Sequence, residues 1–136
     1  MRLRLVPLIV VATMLGPRVL SWGGPPAGPV ELGEGAEEFV LSNGIVSAVF
    51  DKAKARMLSL RKGGRELMGG GGVGYFQMVA NGAYSSPENA TARIVVDTDE
   101  CADIAFTRDE PEYPFVMELH YVLCRGESGF HTYVVF

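Results

Sequence analysis

From Phe39 to Phe136 a turn signal breaks the chain about every 8–12 residues, and no window shows the 3.6-residue period of a buried helix face. "EFVL", "SNG" and "IVSAVFD" read as strand, tight turn and strand, because Asn-Gly supplies the positive φ that such turns need. "KAKA" is a short connection. "RMLSLRK", "GG" and "REL" are a further strand, turn and short strand. "YFQMV", "TARIVVD", "CADIAFTRD", "FVMELHYVLCR" and "FHTYVVF" complete roughly nine short strands. "ANGAYSSPENA" reads as a polar loop, and "GPVELGEGAEEF" as an irregular Gly- and Glu-rich lead-in. Met117, Leu119, Tyr121 and Leu123 alternate and so share one strand face. This predicts an all-β fold, an antiparallel β-sandwich. With 17 Gly and 8 Pro among 136 residues, of which 48% are apolar, composition agrees with one turn-rich domain.

The first residues stand apart. Arg2 and Arg4 precede an apolar run from Leu5 to Leu15, well short of the roughly 20 residues that span a bilayer. A basic start and a short apolar centre predict a secretory signal, so residues 1–29 are assigned to signal and linker and residues 30–136 to the sandwich. The chain carries −4; without Arg2, Arg4 and Arg18 it holds 9 basic against 16 acidic residues. That balance argues against a nucleic-acid partner, which needs a basic face, and with the apolar run so short no membrane partner is expected. Phe136 falls inside an apolar strand, where an unpaired edge invites aggregation. The sandwich is therefore expected to be incomplete, the front part of a longer protein.

Export permits disulfides. Cys101 and Cys124 could pair, or remain two buried thiols, since both lie in apolar runs. Asn89-Ala90-Thr91 is an N-glycosylation sequon. "MGGGGVG" lacks the Lys-Ser or Lys-Thr and the βαβ setting of a phosphate loop, so it reads as a plain loop.

Chemistry-bearing candidates are few. Glu118 and His120 share the strand face opposite Leu119; such a pair can work as acid and base or enter a metal site, or simply form a half-exposed polar face. No further metal ligand is evident, and no cofactor is expected. His131 and Tyr133 could line a sugar cleft or mark one side of a sheet. Lys52, Lys54, Arg56, Arg61, Lys62 and Arg65 crowd one connection and its strand. They could receive a polyanion such as a uronic acid chain, or keep a hairpin edge soluble. No Ser-His-Asp order, nucleophile elbow or paired-carboxylate motif is present.

Several of these stretches resemble rhamnogalacturonan lyases of polysaccharide lyase family 4. "LSNGIVSAVFDKAKARMLSLRKGGREL" is similar to the family's opening strands, and "GVGYFQMV" to its next segment. In "YVLCRGESGFHTYVVF", Arg125, Gly126, Ser128, Gly129, Phe130 and Tyr133 match its most specific signature. The resemblance runs from Glu38 to Phe136. It implies a galactose mutarotase-like sandwich and β-elimination at the rhamnose–galacturonate bonds of pectin. There a base removes H5, which is α to the carboxylate, while cations hold the charge that develops. The family's basic lysine, histidine and uronate-gripping arginines follow the G-x-S-G-F strand. No catalytic role therefore passes to Lys52, Lys54, Lys62, His120 or His131. Cys124 stands where the family has a basic or apolar residue, which argues against a disulfide. A non-catalytic carbohydrate-binding sandwich and a mutarotase-like epimerase are the alternatives.

Overall fold

The computed structural model describes residues 27–68, 72–80, 83–109 and 115–136. The expected signal segment lies outside them for all but its last residues. The described residues contain no helix, and so none long and apolar enough to cross a membrane. Every strand pairing is antiparallel.

One sheet holds β1 (Glu31–Glu34), β2 (Glu38–Ser42), β3 (Val46–Asp51), β4 (Arg56–Lys62) and β5 (Arg65–Glu66), in sequence order. β6 (Met78–Ala80) and β7 (Ala83–Ser85) form a separate pair. The other large sheet, in the order β11-β10-β9-β8, comprises β8 (Thr91–Asp97), β9 (Cys101–Arg108), β10 (Met117–Cys124) and β11 (His131–Val135). Each large sheet turns one apolar face inward. Phe39, Leu41, Val46, Ala48 and Phe50 from the first meet Ala102, Ile104, Phe106, Leu119, Tyr121 and Leu123 from the second. The expected face of β10 is thus buried at Met117, Leu119, Tyr121 and Leu123. Aromatic edges join the layers: Phe39 meets Phe106 at 6.3 Å, and Phe50 meets Tyr121 at 4.6 Å. Each such fully buried side chain contributes about 1.5–3 kcal/mol.

Two expectations of irregular chain are corrected. The Glu-rich lead-in forms β1, an edge strand in register with β2 from Glu31↔Ser42 to Glu34↔Phe39. Its single apolar side chain, Leu32, packs half-buried against the core, and β2 supplies the main-chain partners. The polar loop contains β7, in register with β6 through Val79↔Tyr84. The strand expected at Tyr75–Val79 is shorter at its start: Tyr75, Phe76 and Gln77 lie outside β6, and Gly74 alone bridges to Met57 with two hydrogen bonds of 2.8 Å. A Cβ on Gly74 would come within 3.3 Å of Met57 Cβ and Met68 Cε, so a side chain there would crowd both methionines by a few tenths of an ångström.

The expected Asn-Gly turn joins β2 to β3, with Gly44 supplying the positive φ at 80°. Asn43 is fully buried and uses its whole carboxamide. Its Oδ1 accepts from the Ile45 and Val46 amides at 3.1 and 3.0 Å. Its Nδ2 donates to the Cys124 carbonyl at 2.9 Å and the Glu127 carbonyl at 2.8 Å. One side chain thus fastens the β2–β3 turn of one sheet to the β10–β11 turn of the other.

Cys101 and Cys124 form a disulfide, which corrects both the free-thiol alternative and the argument drawn from the family pattern at Cys124. They face each other at the matched ends of β9 and β10, with Cα atoms 4.1 Å apart.

Candidate functional site

The six-residue basic cluster does not form a single cationic face. Lys52 Nζ lies 2.7 Å from Glu34 Oε1, 2.7 Å from the Gly35 carbonyl and 4.4 Å over the Phe39 ring. Arg61 Nε lies 3.3 Å from Glu66 Oε2, and Arg56 is ion-paired with Glu88. Among the described residues, Lys54, Lys62 and Arg65 have no ion-pair partner. Glu66 is held down to about 2, first by the Ser59 hydroxyl and then by the Leu60 and Met68 amides, which makes it the clasp of the β4–β5 hairpin.

Two members of the cluster do reach a cleft, one of about 300 Å³. Lys54 and Arg56 form its basic side. The Lys54 end is shaped by Asp51, whose Oδ1 accepts from the Ala53 and Lys54 amides at 2.9 and 3.0 Å and so turns the chain. Val73, Tyr75, Phe76 and Gln77, on the segment bridged to β4 at Gly74, also line it, and Ser86 and Glu88 complete the lining. Tyr75 is 63% exposed, which leaves its ring available to a ligand. The cleft combines cations, aromatic rings, an amide and the Glu88 carboxylate, a lining that can both stack on a ring and hydrogen-bond polar groups.

The Glu118–His120 pair is brought together, but the half-exposed polar face is not what forms. His120 is only 4% exposed although it lies on the outer face of its sheet. Its Nδ1 lies 2.9 Å from Asp103 Oδ1 and its Nε2 lies 2.8 Å from Glu118 Oε1. The Tyr133 ring stacks on the imidazole at 4.2 Å and 12°, and its hydroxyl donates to Asp103 Oδ2 at 3.1 Å. Arg93 Nη2 donates to Glu118 at 2.6 Å, and Thr107 Oγ1 at 2.8 Å. The Arg93 guanidinium, with help from Thr107 and His120, holds the Glu118 carboxyl at about 2. The same contact pushes Arg93 up. Partial desolvation, then the bond to Asp103, pushes the Tyr133 phenol up.

Both imidazole nitrogens are engaged by carboxylates, Nδ1 by Asp103 on β9 and Nε2 by Glu118 on its own strand. Among the described residues no group of three or more His, Cys, Asp and Glu is placed to hold a metal ion. The network therefore acts as a polar clamp across β8, β9, β10 and β11.

His131 and Tyr133 do not make a joint sugar cleft. His131 borders a shallow hollow with Glu127, Ser128, Gly129 and Phe130, its Nε2 lying 2.8 Å from Glu127 Oε2, while Tyr133 belongs to the His120 network. The signature around them has structural work: Gly126 takes φ 78°, and Phe130 packs edge-on against Phe50 at 5.8 Å.

Alternation alone did not identify Tyr75, Phe76 and Gln77 as cleft wall, or Arg93 and Asp103 as partners of the Glu-x-His pair. No protein-family model, curated protein or solved structure matches the chain.

Proposed function

We propose that the chain handles pectic rhamnogalacturonan as the leading part of a secreted lyase sandwich on the galactose mutarotase plan, and that the basic and aromatic cleft seats a galacturonate residue. The observation that carries this reading is the convergence of Lys54, Arg56, Tyr75, Phe76 and Gln77 on one cleft. A volume of about 300 Å³ is at the small end of ligand sites and fits one sugar ring rather than a long segment. The Cys101–Cys124 disulfide accords with export. The cleft's role is to bind and orient; the base that removes H5 is assigned outside these residues, as the family resemblance implies.

Calorimetry tests the reading with rhamnogalacturonan I oligosaccharides against neutral oligosaccharides of equal length. Preferential binding of the acidic ligand is expected, weakened by Arg56→Ala and by Tyr75→Ala about tenfold each, or ~1.4 kcal/mol. Equal affinity for both ligands, or variants that bind like the parent, would refute the cleft assignment. Ultraviolet-absorbing unsaturated uronate released by this chain alone would refute the placement of the base.

A non-catalytic carbohydrate-binding sandwich is the second reading. It is favoured by the Arg56–Glu88 ion pair, which engages the carboxylate that lines the cleft. It predicts the same binding preference with no elimination from the complete gene product.

A further inference from the structure

We infer that Asn89 is the acceptor of an N-linked glycan when the chain passes through a eukaryotic secretory pathway. The chain has three asparagines, and only Asn89 opens an Asn-x-Ser/Thr triplet; Ala90 at the middle position and Ala92 after the triplet avoid the proline that blocks it. A sequon alone is a weak signal, and the fold adds three observations.

Asn89 is exposed, and its backbone sits in the left-handed region at φ 60°, a conformation asparagine tolerates and one that projects a side chain from a turn. Its amide N–H is already committed to the Ala53 carbonyl at 2.8 Å, whereas its carboxamide has no partner among the described residues. Thr91, which supplies the hydroxyl of the triplet, is the exposed first residue of β8. Among the described residues β8 is an edge strand, paired on one side only with β9, so the triplet is open to a protein that reads it from outside. Asn43 is the contrasting case, a fully buried asparagine with both ends of its amide engaged. The disulfide accords with passage through the oxidising compartment where such transfer takes place.

The transfer joins the Asn89 carboxamide nitrogen to the anomeric carbon of a lipid-linked glycosyl pyrophosphate. The anomeric C–O bond breaks, the lipid pyrophosphate leaves, and the amide gives up one proton. A bulky solvated glycan is accommodated because it extends from an edge and displaces no core side chain. The inference is independent of the cleft reading.

The test is to direct the whole 136-residue chain into a eukaryotic secretory host behind a proven signal, with a co-expressed glycoprotein as a control for transfer. Intact mass should show one glycan increment, removed by peptide-N-glycosidase, which leaves a carboxylate at that position. Asn89→Asp and Thr91→Ala should each abolish the increment, and Thr91→Ser should retain it. Thr91→Ala keeps the left-handed turn residue, so its result does not depend on how Asn89→Asp folds. Secreted chain without the increment, beside a glycosylated control, would overturn the inference. So would an increment that survives Thr91→Ala.

Discussion

Asn43→Asp exchanges one amide N–H2 for an oxygen and leaves the shape of the side chain almost unchanged. In the parent, that nitrogen donates to the Cys124 and Glu127 carbonyls while Oδ1 accepts from two amides. The substituted carboxylate keeps the accepting half. On the other side its oxygen faces two carbonyl oxygens where two hydrogen bonds had been. Each lost bond removes about 1 kcal/mol net, and the acceptors left facing an anion in a fully buried site add about 1–3 kcal/mol. A total of about 3–5 kcal/mol is a large share of the ~5–15 kcal/mol that holds a domain folded. Burial without a cation raises the folded pKa of the new carboxyl above its unfolded value. Folding is then penalised most where the group must ionise, and the penalty shrinks as pH falls toward the unfolded carboxyl value of ~3.9. Urea unfolding of parent and variant at neutral pH and near pH 4, with the disulfide intact, measures both effects. A loss under ~1 kcal/mol at neutral pH, or a gap between the two proteins that widens on acidification, would refute this account of the joint between the sheets.

The Glu118 carboxyl, held near 2 against an ordinary 4.5, contributes stability that is present above 4.5 and lost as pH falls toward 2. Allowing for solvent around the half-exposed Arg93, that contribution is about 1–2 kcal/mol; acid titration of the parent should show it and Glu118→Gln should flatten it, whereas identical acid profiles would contradict the assignment. Reducing the Cys101–Cys124 disulfide, which spans 23 residues, should lower unfolding stability by about 3 kcal/mol in urea melts with and without reductant. An unchanged midpoint after confirmed reduction would show that the β9–β10 pairing alone constrains this end.

What could be read from the sequence divides along a physical line. β3, β9 and β10 announce themselves through alternation, since their inward residues are apolar and their outward ones mostly are not. β1 gives no such signal: Glu31, Leu32, Gly33 and Glu34 become a strand because β2 offers an edge to pair with. β7 had a usable cue in Asn81-Gly82, but the small residues around it concealed the pairing. For the cleft, the basic residues were visible as a cluster, yet which of them would be neutralised depended on Glu34, Glu66 and Glu88 arriving through the fold. His120 shows the same limit. Alternation gives its face, but its burial comes from Asp103, 17 residues away, and from Tyr133 on the next strand. The disulfide was closer to legible. Two eight-residue strands that pair antiparallel along their whole length put Cys101 opposite Cys124.

The single bridge at Gly74 makes the aperture of the cleft a main-chain quantity. Two amide–carbonyl hydrogen bonds tie the segment carrying Tyr75, Phe76 and Gln77 to β4 at that point, where a methyl group on Gly74 would crowd Met57 and Met68. The width of this mouth is therefore sensitive to the half-buried Met57 and Met68 behind it, which do not line the cleft.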